Sequence, residues 1–162
     1  MRRIDHIEAL LNLVISSVKR ITVLLADDNG GVRSGFRNLL KLENDFEVVG
    51  EAKNGRQAVA MVKRLRPAVV LMDIAMPLLN GLQATFQILK ALPATKVLML
   101  SAHSEEVYVK EATNCGAMGY LVKQTAAENI CPAIREVQKG NKFFSPSISS
   151  FLRRRNRKQM VA

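Results

Sequence analysis

The sequence predicts a doubly wound α/β domain of (βα)5 type: five parallel strands in the order 2-1-3-4-5, with helices on both faces. Three observations predict it. Apolar runs of strand length alternate five times with amphipathic stretches. Several runs are continuously apolar, as strands buried on both faces must be. Acidic, hydroxyl and basic residues recur at the carboxyl ends of these runs, where open α/β sheets place their working sites.

The first unit joins Ile21–Ala26 to a helix over Val32–Leu42, in which Val32, Phe36, Leu39 and Leu40 have helical spacing. The second joins Phe46–Ala52 to Gly55–Leu65, with Ala58, Val59, Val62 and Leu65 on one face. Val69–Met72 precedes a helix over Leu82–Leu92, and Lys96–Ser101 precedes Glu105–Cys115. The fifth unit is Gly119–Val122 and Glu128–Lys139. Pro132 would interrupt a helix that started near Thr125. A late start capped by Asn129, or a distorted first turn, is therefore expected.

Residues 1–20 form an N-terminal extension, 21–140 the α/β domain, and 141–162 a basic linker or tail. In the extension Ile4, Ile7, Leu11, Val14, Val18 and Ile21 recur at alternating spacings of three and four, which predicts an amphipathic helix.

Hydrophobic residues make up 48% of the chain and tryptophan is absent, so the core is aliphatic. No apolar stretch approaches the ~20 residues needed to cross a bilayer, and no signal-peptide pattern opens the chain. No membrane association and a cytoplasmic location are expected. Cys115 and Cys131 lack metal-ligand spacing and read as free thiols. The net charge of +10 is uneven: residues 21–150 contribute +3, residues 1–20 contribute +2 and residues 151–162 contribute +5. Binding to nucleic acid would therefore rest on the run Arg153–Lys158, as weak phosphate contact; a solvated linker is the plainer reading.

The stretch VVLMDIAMPLLNG (69–81) runs four apolar residues into Asp73. The predicted topology explains this, because Asp73 ends the third strand at a polar rim. Asp27 and Asp28 end the neighbouring first strand, Ser101 the fourth and Lys123 the fifth. Three clustered carboxylates repel one another unless a cation intervenes. Lys123 is one such cation, and a divalent ion with all-oxygen ligands, Mg²⁺ or Mn²⁺, is another. A carboxylate beside such an ion can attack phosphorus, with metal and lysine neutralising the transferring group.

With VLLADD (23–28), LMLSAH (98–103) and GYLVK (119–123) in the same order, the chain resembles the receiver domain of two-component response regulators. The segment AENICPAIREVQKGNKFFSPSISSFL is similar to the end of a receiver of the NarL/FixJ type. The resemblance implies a flavodoxin-like fold and a phosphoryl group accepted on Asp73 from a sensor histidine kinase. It implies Mg²⁺ held by Asp28, Asp73 and the backbone carbonyl of Ala75, with Asp27 acting through water. Lys123 and Ser101 would contact the phosphoryl group, Tyr120 would be the switch aromatic, and Pro77 and Gly81 would shape the loop after Asp73. A homodimer is possible in such a family, and the output would be transcription through a LuxR-type helix-turn-helix domain. These 162 residues end in RRRNRKQMVA without that domain. Such a receiver is a switch that catalyses only its own phosphorylation and dephosphorylation.

The family often carries His after the acidic pair. Here Asn29, Gly30 and Gly31 follow it, which predicts a looser loop before the first helix. Other readings of the residues are a phosphate-independent interaction module, a phosphoester phosphatase and a flavin-binding domain. The acidic cluster counts against the first, the position of the nucleophile on the third strand against the second, and repulsion of phosphate by two acids against the third.

Overall fold

The computed structural model describes residues 2–16 and 19–159, without the side chains of 2–5, 12, 15–16 and 155–159. Val18 and the side chain of Ile4, both counted in the heptad, lie outside the described residues, as do the side chains of Arg155, Arg157 and Lys158. Helix α1 (Arg2–Ser16) precedes β1 (Ile21–Ala26), α2 (Gly30–Lys41), β2 (Phe46–Ala52), α3 (Gly55–Leu65), β3 (Val69–Asp73) and α4 (Gly81–Ala91). Then follow β4 (Lys96–Ser101), α5 (Glu106–Asn114), β5 (Gly119–Val122), a 3-10 turn (Lys123–Thr125), α6 (Ala126–Gln138), β6 (Phe143–Phe144) and α7 (Pro146–Gln159).

All strand pairings are parallel, in the order β2-β1-β3-β4-β5-β6. The expected 2-1-3-4-5 arrangement is present, and a sixth strand extends it. The expected end of the domain at residue 140 falls short of this strand. Phe143 pairs with Gly119 and Phe144 with Tyr120, and Ile148 of α7 is buried in the core. The basic segment 153–158 is helical rather than an irregular linker.

Two apolar clusters flank the sheet. One holds Ala58, Val59 and Val62 of α3, Ala84 and Ile88 of α4, and Val109 and Ala112 of α5. The other holds Phe36 and Leu40 of α2 with Ile130, Ala133, Ile134 and Val137 of α6. Alternate residues of the central strands serve opposite clusters: Val70 and Met72 the first, Val69 and Leu71 the second. This two-sided demand explains the unbroken apolar runs.

Two helices start two residues earlier than expected. Helix α2 begins at Gly30, because the Asn29 side chain accepts hydrogen bonds from Gly31 N and Val32 N. The glycines occupy its first turn and not a loose loop. Helix α6 begins at Ala126, so Pro132 lies in its interior and Asn129 is no cap; its Nδ2 instead donates to the Thr125 carbonyl at 2.8 Å. An interior proline costs about 3 kcal/mol. Pro132 and Glu128 both face solvent, where water can reach the carbonyl left without a donor. Burial of Ala126, Ile130, Ala133 and Ile134 on either side of the proline offsets the rest.

Arg135 fastens α6 to the turn before β2. Its Nε and NH2 donate to Asp45 Oδ2 and Oδ1 at 2.8 and 3.0 Å, NH2 also reaches Glu43 at 2.6 Å, and the guanidinium lies 5.0 Å from the Phe46 ring centre. Hydrogen bonds from Arg135 hold the Asp45 carboxyl below its usual range. A depressed carboxylate stabilises the fold above its unfolded pKa and loses that effect as pH falls through the folded value. Arg135→Met should therefore lower stability by about 1 kcal/mol at neutral pH. The deficit should shrink in urea melts run at progressively more acid pH; a deficit constant with pH would contradict this account.

Candidate functional site

The site lies at the carboxyl rim, where β1 and β3 are neighbours. Asp73, the last residue of β3, is 3% exposed, although its strand is otherwise pure core. Its Oδ1 accepts a hydrogen bond from Ala75 N at 3.3 Å. The loop beyond is folded back hard: Gly81 N donates to Ile74 O at 2.9 Å, and Leu79 N to Pro77 O at 2.8 Å. Asn80 caps α4 by accepting from Gln83 N. Gly81 passes so close to β3 that a Cβ there would lie 2.0 Å from the Asp73 carbonyl oxygen. Leu78 sits in the left-handed region at φ 66°, a conformation that costs a non-glycine residue about 1 kcal/mol or more.

Asp27 follows β1 and is also buried, whereas Asp28 is exposed. Asp27 Oδ1 accepts from Asn29 N at 2.9 Å, and the Asp27 carbonyl accepts from buried Arg33 NH1 at 2.6 Å. Carboxylate oxygens of Asp27, Asp28 and Asp73 all lie within 4.8 Å of one another. Lys123 enters from the end of β5 and bridges two of them: Nζ is 2.7 Å from Asp27 Oδ2 and 3.2 Å from Asp73 Oδ1. The three acids and Lys123 expected at the rim are thus brought together, with the Ala75 N–H beside Asp73.

Ser101 ends β4, buried, and its Oγ accepts from His103 N at 3.0 Å. Tyr120 is wholly buried in β5, and its hydroxyl donates to the His103 carbonyl at 2.8 Å. The two meet through one loop, residues 102–104.

Two residues of this neighbourhood escaped sequence reasoning. Arg33 reads as an ordinary surface charge on α2, yet it holds the backbone of Asp27. Ser145 Oγ accepts from Val122 N at 2.9 Å, and Ser145 N donates to Tyr120 O at 2.9 Å, so the residue pins β5 just before Lys123. The pair Ser145–Pro146 has the residue types of a helix start, Ser before a first-turn proline, a signal that marks α7 in the sequence.

A match to the response regulator receiver domain spans residues 23–135. The chain belongs to this family. The receiver is 42% identical over 125 residues to an uncharacterized transcriptional regulatory protein of Bacillus subtilis, YxjL, covering 77% of this chain and 57% of that one. It is 39% identical over 139 residues to the response regulator protein VraR of Staphylococcus aureus, covering 86% of this chain and 66% of that one. The chain thus spans about three fifths to two thirds of the length of these relatives. Among solved structures, a two-component response regulator of the LuxR family from Aurantimonas sp. superposes with a TM-score of 0.78 at 28% identity, over 82% of this chain and 94% of that one.

The electrostatics of the receiver follow from this packing. Burial, and then the Asp27 charge, push the Asp73 carboxyl above its ordinary value, against the pull of Lys123 and the Ala75 N–H. Burial alone would lower the Lys123 ammonium; its contacts with Asp27 and Asp73 outweigh that and raise it. Burial raises the Tyr120 phenol. One lysine therefore opposes up to three negative charges, and the imbalance leaves room for a further cation. The donor set is all oxygen, which suits Mg²⁺.

Proposed function

We propose that this receiver accepts a phosphoryl group on Asp73 from the phosphohistidine of a sensor kinase. The observation that carries the reading is the cluster Asp27, Asp28 and Asp73 at the switch point, bridged by Lys123. An Asp73 carboxylate oxygen attacks phosphorus, the P–N bond to the donor imidazole breaks, and the imidazole leaves with the bonding pair. Asp28, Asp73 and the Ala75 carbonyl would hold Mg²⁺, with Asp27 assisting through water. When bound, the ion supplies charge neutralisation at the phosphoryl oxygens. Lys123 shares that task, and it is released from Asp73 as the carboxylate becomes an acyl phosphate.

The product adds about −1.5 to −2 charge and three acceptor oxygens beside Ser101 and Lys123. Movement of Ser101 toward it would break the hydrogen bond from His103 N and so disturb the loop that carries the Tyr120 hydroxyl. Loop 102–104 with α5 is the two-state element of this reading. Transcription as the output is supported by the likeness to YxjL, a transcriptional regulatory protein. Action in the cytoplasm agrees with the lack of any helix, among the described residues, long and apolar enough to cross a membrane.

Intact mass after incubation with acetyl phosphate and Mg²⁺ tests the reading. A gain of one phosphoryl group is expected, lost in Asp73→Asn and lost in chelator. If neither acetyl phosphate nor a histidine kinase gives the gain, and Mg²⁺ does not bind, the chain is a phosphate-independent interaction module instead.

A further inference from the structure

The small net charge of the folded body conceals a segregation. From Ala52 to Ser104 the chain carries seven Lys and Arg but one acid, Asp73, which is buried. Helices α3 and α4, which pack side by side, contain no acidic residue. Arg56 and Lys63, seven apart and so on one face of α3, are exposed, and neither reaches a carboxylate among the described residues.

Apolar surface lies between these charges. A groove of about 420 Å³ is lined by Arg56, Lys63, Leu78 and Leu79, and a second of about 380 Å³ by Leu79, Leu82 and Phe86. The two adjoin at Leu79 and Gln87, which line both, as a shallow channel. Leu78 is 69% exposed and Phe86 61%. Leu78 is held out by the left-handed turn described above, and that turn is anchored: Gly55 N donates to Leu79 O at 3.1 Å, and a Cβ at Gly55 would lie 2.1 Å from that oxygen. An outlying backbone conformation that presents a large apolar side chain to water is a feature of ligand clamps.

We propose that the α3–α4 face is a docking groove for an acidic amphipathic helix of a partner protein. Apolar side chains of such a helix at i, i+3 or i+4 and i+7 fill the channel between Leu78 and Phe86. Its flanking carboxylates meet Arg56 and Lys63, which steers association and sets orientation. Nucleic acid would use the positive charge but has no use for exposed Leu78 and Phe86, so the helix is the better match. The inference concerns binding alone and stands whether or not Asp73 accepts phosphate.

The test uses the full chain and two fluorescent synthetic helical peptides with the same Leu/Phe stripe, one with Glu and one with Lys on the remaining faces. Anisotropy should show the Glu peptide binding at least tenfold more tightly, with affinity falling as salt rises. Phe86→Ser should weaken it about tenfold. Arg56→Glu with Lys63→Glu should reverse the preference to the Lys peptide. All these positions face solvent, so the melting temperature reports that the variants are folded. The proposal is overturned if the Glu peptide binds no better than the Lys peptide, or if Phe86→Ser and the charge reversal leave its affinity unchanged. It is equally overturned if a DNA duplex binds this face more tightly than the Glu peptide and ignores Phe86→Ser.

Discussion

Lys123→Met is expected to lower the unfolding free energy by about 3 kcal/mol at neutral pH in the presence of a chelator. The lysine is the one cation whose charge reaches both Asp27 and Asp73 among the described residues, and both carboxylates are almost fully buried. Removing one partner of a buried ion pair leaves its counter-charge uncompensated, at a typical cost of about 3–5 kcal/mol. The side chain of Lys123 is 24% exposed, which places the expectation at the lower end. Asp73 is already raised by burial and by Asp27, and loss of Lys123 raises it further. A carboxyl whose folded pKa lies above its unfolded value favours the fold when protonated and opposes it once pH rises through both values. The deficit of the variant should therefore be full at neutral pH and shrink as pH falls through the raised value. Mg²⁺ should restore part of it by mass action on the folded state. Urea melts with and without Mg²⁺ across the acid-to-neutral range measure all three effects. A variant as stable as the parent at every pH would show that the ion pair contributes nothing net.

Gly81→Ala is expected to cost about 3 kcal/mol and to reduce phosphoryl incorporation at least tenfold. The new methyl would lie 2.0 Å from Asp73 O and 2.8 Å from Asp73 C, and backbone yields far less readily than a side-chain tip. Overpacking of this kind typically costs about 1–3 kcal/mol, and contact with the backbone of Asp73 and Ile74 puts this case at the top of that range. The displaced residue is also the proposed phosphoryl acceptor. Stability and chemistry should therefore fall together, although position 81 carries no functional group. Gly35 supplies the control. It lies within α2 with open space around its Cβ, so Gly35→Ala should raise stability by about 0.5–1 kcal/mol and leave incorporation unchanged. If Gly81→Ala melts like the parent and still takes up phosphate, the close approach of α4 to β3 is not a constraint on Asp73.

The strands were legible because each is dictated by two-sided burial. Ile21–Ala26, Phe46–Ala52, Lys96–Ser101 and Gly119–Val122 have the expected bounds. Helix starts were less legible because caps compete. Asn29 captured Gly30 and Gly31 for α2, while Asn129, an equally good cap by type, was drawn inside α6 by the burial of Ala126. The rim acids, Lys123 and Ser101 could be placed because strand ends locate them whatever their side chains do; Tyr120, inside β5, is reached only through the family resemblance. Arg33 and Ser145 could not, because each acts on the backbone of another residue through a contact that only the folded loop or strand pairing creates, and carries no periodic signal. Charge misled in the same way. A sum over 21–150 reports near-neutrality, whereas the stretch 52–104 within it holds seven Lys and Arg and one acid.

The pairing of β6 with β5 has a mechanical consequence. Phe143 and Phe144 lie beside Gly119 and Tyr120, and Ser145 grips Val122 from the other end of that short strand. Tension on α7 would thus act in shear along β5, the strand that carries Tyr120 and ends one residue before Lys123. A load hung on the C-terminal helix would be felt at the end of β5 from which Lys123 reaches the acidic cluster.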